Sequence, residues 1–314
     1  MFKYLKKIST KAMTHDEWLE HRRRSIGGSD AAAIIGLNPW ASPYAVWADK
    51  LGVIPPKEDN EAMRLGRDLE DYVAKRFCEE TGKRVRRENS IIINPHFPFA
   101  HANVDRFIIG EDAGLECKTT STLNLKKFKN GEYPANYYCQ CMHYLAVTGA
   151  ECWFLAVLIL GREFKWFCIE RDEDEIAALM RSEEEFWELV EKRTPPPTDG
   201  EKSTTEAISA VYADADGGGE VSLFGYESEL SQYMALGEQI RELKKLQDGY
   251  ANRLKECLGE SSRGEGTGYS VSWAPAVRST FDLQLFARDH PDIDLSRYYK
   301  TSIYRTFKVT RNEG

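Results

Sequence analysis

The sequence predicts an α/β (α+β) fold with a mixed central β-sheet flanked by helices. Amphipathic stretches of helical period alternate with short β-branched and aromatic runs over the first 193 residues. Their order is three helices, three strands, a helix, two strands and a closing helix. At 314 residues, 42% apolar and 29% charged, the chain is long enough to bury a sizeable core and has the composition of a soluble globular protein. No apolar run is long enough to span a bilayer; the most apolar stretch, 150–160, reads as a buried strand. The basic start lacks the apolar region of a signal peptide, so a cytoplasmic protein is expected.

The elements follow from local signals. Thr14 and Glu17 form a capping box for a helix running to Arg24. Ser25-Ile26-Gly27-Gly28-Ser29-Asp30 breaks it, and Ser29 or Asp30 can cap a second short helix over 31–35. A glycine-rich turn entering a helix N-terminus, with arginines just upstream, suits a phosphate, although a plain helix corner has the same composition. Ser42-Pro43 starts a third helix. Leu65, Leu69, Val73 and Phe77 stripe a long helix over 60–81, stopped by Gly82, with Glu70 beside the stripe and Gly66 one turn earlier. Strands are expected over 84–93, 97–109 and 115–119, then a helix over 136–147. A hairpin over 151–160 and 163–170 and an acidic helix over 173–191 complete the series.

The Pro- and Thr-rich run after Thr194 marks a linker. The expected division is therefore a first domain at 1–193, a linker at 194–205 and a C-terminal extension of unassigned role at 206–314. In the extension, Leu230, Tyr233, Met234, Ile240, Leu243, Leu246, Tyr250 and Leu254 repeat at spacings of three and four over 227–258. A long helix or helical hairpin packed against its own chain explains them more simply than a coiled-coil dimer. The end of the chain reads as strand, short helix (282–289) and strand.

Chemistry concentrates between Asn103 and Lys118. Val104 to Ile109 reads as a strand, Gly110 to Gly114 as a turn, and Leu115 begins a second strand. Side chains alternate along a strand, so Glu116 and Lys118 share a face and Cys117 takes the other. If the two strands pair, Asp105 sits beside Glu116. Two carboxylates, an ammonium and the Cys117 backbone carbonyl then share one surface, a set of oxygen donors that suits Mg²⁺. A surface hairpin with a cross-strand salt bridge would carry the same residues. Six histidines form no catalytic pair, and seven cysteines form neither a disulfide framework nor a zinc or iron–sulfur cluster. The net charge of −8 is unevenly spread: residues 1–130 carry 22 basic against 18 acidic groups, and residues 131–200 carry 6 against 14. A localised basic groove on an acidic body fits an enzyme that holds a polyanion and still moves along it.

Asp105-x(10)-Glu116-x-Lys118 resembles the core motif of the PD-(D/E)XK nuclease superfamily. Trp18-x(3)-Arg22, the Ile26-Gly-Gly-Ser29-Asp30 turn, Gly66-x(3)-Glu70 and Gln140-x(3)-Tyr144 surround it in order. Together these residues resemble the YqaJ-like viral recombinase family, which includes the phage lambda-type alkaline exonucleases, over roughly residues 14–170. The resemblance implies a restriction-endonuclease-like core. It also implies a Mg²⁺-dependent enzyme (Mn²⁺ may substitute) that resects duplex DNA 5′ to 3′ and leaves a 3′ single strand for a phage annealing protein. Asp105, Glu116 and the Cys117 carbonyl would hold the principal ion of two, with Glu70 assisting through water. Lys118 would position the nucleophile, and Gln140 would hold or orient Lys118 or the substrate. Arg22, Ser29 and Asn103 would contact DNA phosphate. Family members of the lambda type form ring-shaped trimers around DNA; residues past about 200 depart from that pattern. An endonuclease or repair nuclease of the same superfamily, or a non-catalytic DNA-binding assembly protein, are the competing readings.

Overall fold

The computed structural model describes residues 4–56, 59–213, 215, 217–300 and 304–311. The chain forms two compact units, Met1–Asp214 and Ala215–Gly314.

The first unit opens with β1 (Lys6–Ser9), α1 (His15–Arg23), β2 (Ile26–Gly27), α2 (Gly28–Ile34), α3 (Pro43–Lys50) and α4 (Glu61–Thr81). The capping box forms: the Thr14 hydroxyl accepts from the Glu17 N–H, and the Glu17 carboxylate accepts from the Thr14 N–H at 2.8 Å. Helix α2 starts earlier than its side-chain caps suggest, because the Asp30 carboxylate reaches back to the Gly27 N–H at 2.9 Å. Asn60 caps α4, and Gly82, at φ +71°, closes it in the left-handed region that glycine enters without a Cβ penalty. Five strands then follow: β3 (Val85–Arg87), β4 (Ser90–Ile93), β5 (Ala100–Ala102), β6 (Arg106–Ile108) and β7 (Ala113–Thr120). The sequence reading fused β3 with β4 and β5 with β6, because continuous apolar character hides the points where the chain changes sheet. After a 3₁₀ turn (Thr122–Phe128) come α5 (Ala135–Thr148), β8 (Cys152–Ile159), β9 (Glu163–Glu170) and α6 (Glu173–Glu191).

Two sheets result. The smaller has the order β1-β4-β5-β2, and the larger β3-β6-β7-β8-β9. In the larger sheet β7 and β8 run parallel and every other pair antiparallel. Strand β7 is central, and its alternation divides the core. Leu115 and Cys117 pack with Val73 and Phe77 of α4, whereas Trp153 and Leu155 face the larger cluster containing α5. Gly114 lies opposite Trp153, whose indole occupies the space a side chain on Gly114 would take, 2.2 Å from an added Cβ.

The first unit extends past the linker expected at 194–205. Helix α7 (Lys202–Val211) buries Thr204 and Ala207 and packs against α3. The second unit holds α8 (Glu227–Leu258), an antiparallel hairpin of β10 (Arg263–Gly266) and β11 (Tyr269–Ser272), and α9 (Leu283–Asp289). None of the residues of α8 is buried, so its own unit does not supply the packing expected for its apolar stripe. Among the described residues the second unit offers a short hairpin, a short helix and a 3₁₀ turn (Ser296–Tyr298) against a rod roughly 48 Å long. The expected terminal strand is absent among the described residues.

Gly114→Ala should force Trp153 out of place and cost about 1–3 kcal/mol. The measurement is thermal unfolding of the variant against wild type, and an unchanged midpoint would contradict this packing.

Candidate active site

Register builds the centre of the site. Arg106 pairs with Leu115 and Phe107 with Gly114, and continuing the ladder by one residue sets Asp105 across from Glu116. The Asp105 carboxylate accepts the Cys117 N–H at 2.8 Å. The N–H and C=O of one strand residue point to the same side, so the Cys117 carbonyl also faces the edge where β6 has ended. Glu116 is 3% exposed and directed toward α5. There Gln140 donates from Nε2 to Glu116 Oε1 and to the Tyr144 hydroxyl, both at 2.8 Å. Lys118 Nζ lies 2.6 Å from Glu116 Oε1 and 5.4 Å from the centre of the Tyr137 ring. Gln140 thus supports the carboxylate that Lys118 pairs with, rather than Lys118 itself.

Burial pushes the Asp105 carboxyl well above the usual range, and the nearby Glu116 and Glu70 carboxylates push it further. Burial alone would pull the Lys118 ammonium down, but the Glu116 carboxylate overrides this and raises it, so Lys118 stays charged. A charged lysine donates hydrogen bonds and orients; it does not act as a base. Burial, reinforced by Asp105 and Glu116, raises the Cys117 thiol, which stays neutral and unsuited to binding a metal.

The donor set fits a hard divalent cation. Glu116 Oε2 is buried with no hydrogen-bond partner, and the nearby Glu116 and Glu70 carboxylates press on Asp105 in spite of the Lys118 ammonium. Among the described residues no group of three or more His, Cys, Asp or Glu is gathered to hold a metal. An ion here would rest on two carboxylates, a backbone carbonyl and water, the kind of set that Mg²⁺ accepts.

Glu70 comes to the mouth of the same site already engaged. Its Oε1 takes Arg106 at 2.5 Å and Arg87 at 3.4 Å, and both arginines also bind Asp71. Arg106, 4% exposed, and Arg87 are functional candidates that sequence reasoning missed. The available signal was an arginine placed directly after Asp105 in an otherwise apolar strand. Gly66 leaves the space expected of it, with an added Cβ 3.7 Å from Thr119 Oγ1.

Arg22, Ser29 and Asn103 come from three different elements. Arg22 donates to Ser29 Oγ at 2.7 Å and stacks over Trp18 at 4.8 Å. A cavity of about 210 Å³ beside the site is lined among others by Trp18, Glu70, Arg87, Asn103 and Asp105; Arg22, Ser29 and Glu116 are not among its lining residues. The Asn103 side-chain oxygen is buried without a partner.

Behind Arg22 lies a buried ionic support. Lys50, whose side chain is 1% exposed, binds Asp30 Oδ2 at 2.6 Å and the Arg22 carbonyl at 2.9 Å, and Arg22 reaches Asp30 Oδ1 at 3.6 Å. Burial would raise the Asp30 carboxyl, but Lys50 and Arg22 together hold it well below the usual carboxylate range. The sequence reading passed over Lys50, although it lies four residues after Val46, on the core-facing side of α3. A depressed carboxylate contributes stability above its unfolded pKa, about 3.9, and that contribution is lost as pH falls below it. Lys50→Met should cost about 3–5 kcal/mol at neutral pH by leaving Asp30 buried without its ammonium. Asp30→Asn should flatten the loss of stability below about pH 4. Denaturant titration across pH tests both, and an unaltered acid limb in Asp30→Asn would refute the assignment.

The chain is similar to several known proteins. The model of the YqaJ-like viral recombinase domain matches residues 17–151, which span α1 to the end of α5. The protein YqaJ of Bacillus subtilis strain 168 is 39% identical over 302 residues, covering 95% of this chain and 94% of that protein. Among solved structures, the alkaline exonuclease LHK-Exo from Laribacter hongkongensis superposes with a TM-score of 0.50 at 22% identity, over 57% of this chain and 94% of that one. The same enzyme in complex with dAMP gives a TM-score of 0.50 at 23% identity. The first unit therefore has the PD-(D/E)XK fold, and the chain belongs to the YqaJ-like viral recombinase family.

Proposed function

We propose that this protein is a Mg²⁺-dependent nuclease that degrades duplex DNA from its ends, 5′ to 3′, leaving 3′ single-stranded overhangs for phage or prophage recombination in the bacterial cytoplasm. The observation that carries it is Asp105 brought across from Glu116, with Lys118 on one side of Glu116 and Gln140 behind it, in a chain of this family. The LHK-Exo structure with dAMP supports a nucleoside monophosphate as the product class.

Asp105, Glu116 and the Cys117 carbonyl would hold Mg²⁺, which would supply positive charge for the phosphate and for the departing 3′-oxygen. The chain's own residues do the rest. Lys118, kept charged, orients the attacking water along the line of the scissile bond. Gln140 fixes the Glu116 carboxylate through Oε1 and leaves Oε2 open. Arg106 and Arg87 neutralise Glu70, so the third carboxylate sits near the substrate path without adding an uncompensated charge. Arg22 and Ser29, braced by Asp30 and Lys50, take the 5′-terminal phosphate, and Asn103 contacts the adjoining backbone.

No helix among the described residues is long and apolar enough to cross a membrane. A phage single-strand annealing protein is the partner that the overhang would serve.

Digestion of end-labelled linear duplexes, with and without a 5′ phosphate, tests the proposal. Mononucleotides should appear in Mg²⁺ or Mn²⁺, faster from phosphorylated ends, and closed circular DNA should survive. Release from no end would overturn it, and cutting of circles would replace it with an endonuclease. Glu116→Gln and Lys118→Ala should each lower cleavage by about 100-fold or more while duplex binding persists. Wild-type rates in either variant would refute the site.

A further inference from the structure

Helix α8 carries an apolar face that its own unit leaves more than half exposed. Its 32 residues include Gly237 and Gly249, which weaken an isolated helix by about 1 kcal/mol each relative to alanine. A rod with two interior glycines and no buried residue draws its stability from packing of an amphipathic face. Its contacts within the unit lie near its two ends: Phe307 meets Tyr233 edge-on at 5.5 Å, and Lys255 lies over the Trp273 ring at 6.0 Å.

That face follows a strict heptad. One position of the repeat holds Tyr233, Ile240, Gln247 and Leu254; its companion holds Leu236, Leu243, Tyr250 and Cys257. Spacings alternate three and four without a break, which is the 3.5-residue period of a left-handed coiled coil rather than the 3.6 of a face curved onto a globular core. The six apolar members of the two series are 52–65% exposed, and Leu246 beside them is 61% exposed.

We propose that α8 pairs in parallel with the α8 of a second copy of this chain, forming a two-stranded coiled coil through the second unit. Ile240 and Leu243 are the pairing of a β-branched residue and a leucine that favours two strands. Gln247 fixes the direction. In a parallel pair it meets the other Gln247 and the two amides bond each other; in an antiparallel pair it faces an apolar side chain and is buried without a partner. The area is sufficient: at roughly 100 Å² apiece, seven exposed side chains per helix give about 1,400 Å² for the pair, within the ~1,200–2,000 Å² of a stable specific interface.

Sedimentation equilibrium of the full chain should show twice the 35.9 kDa chain mass at micromolar concentration. The double variant Ile240→Glu, Leu243→Glu should sediment as one chain, and Gln247→Leu should tighten the dimer about tenfold or more. In a Cys168→Ser background, a short bis-maleimide should join two chains through Cys257, and Cys257→Ser should abolish the product. A single-chain mass for wild type, a three-chain mass, or a two-chain mass that survives the double charge variant overturns the proposal. Failure of Cys257 to cross-link overturns the parallel arrangement.

Discussion

The register between β6 and β7 is the constraint on which the site depends. It sets Asp105 across from Glu116 and lets the Asp105 carboxylate cap the Cys117 N–H. A slip of one residue would turn Glu116 and Lys118 toward α4 and bring Leu115 and Cys117 into the site. Packing on both faces holds the register. Leu115 is locked against Phe77 and Val73, and Gly114 accepts the Trp153 ring where any side chain would collide. The carboxylates pay a desolvation cost in this position, and the pressure on Asp105 to keep its proton is its visible sign.

Around that centre, charge is arranged in closed groups. Glu70 and Asp71 are met by Arg87 and Arg106, and Asp30 by Lys50 and Arg22. The first group fixes Glu70, Arg87 and Arg106 in the cavity wall before any ligand arrives, and the second holds Arg22 in place on α1. Deeper still, His143 binds Glu183 at 2.8 Å and the His101 carbonyl at 2.8 Å, tying α5 to α6 and to β5. The arginines of the basic first segment thus divide into two kinds. Arg22 and Arg87 are tied into the site, whereas Arg24 is a solvated flank paired with Glu20.

Much of this was legible in the sequence because its causes are local. Thr14, Asn60 and Gly82 mark helix ends through their own side chains or their lack of one, and the alternation of Glu116, Cys117 and Lys118 requires only a strand. The partners of Glu70 were not legible. Arg106 is 36 residues away and Arg87 is 17, and nothing near Glu70 announces a guanidinium. Lys50 was hidden for a similar reason, since a lysine in the last turn of a helix ordinarily reads as a favourable charge on the helix dipole. What covers α8 was not legible, because periodicity tells which face is apolar but not what lies against it.

The glycine pair at the start of α2 has a meaning that its resemblance to a phosphate cradle conceals. Gly28 lies outside the left-handed region of backbone space, so no unusual dihedral demands a glycine there. What excludes a larger residue is Tyr144, whose ring lies 2.6 Å from where a Cβ would stand, and whose hydroxyl receives Gln140, the residue holding Glu116. Substitution at Gly28 would therefore act first on the support of a carboxylate on a different strand. The turn and β7 share one aromatic spacer, and the amino acids allowed at the first are set by the second.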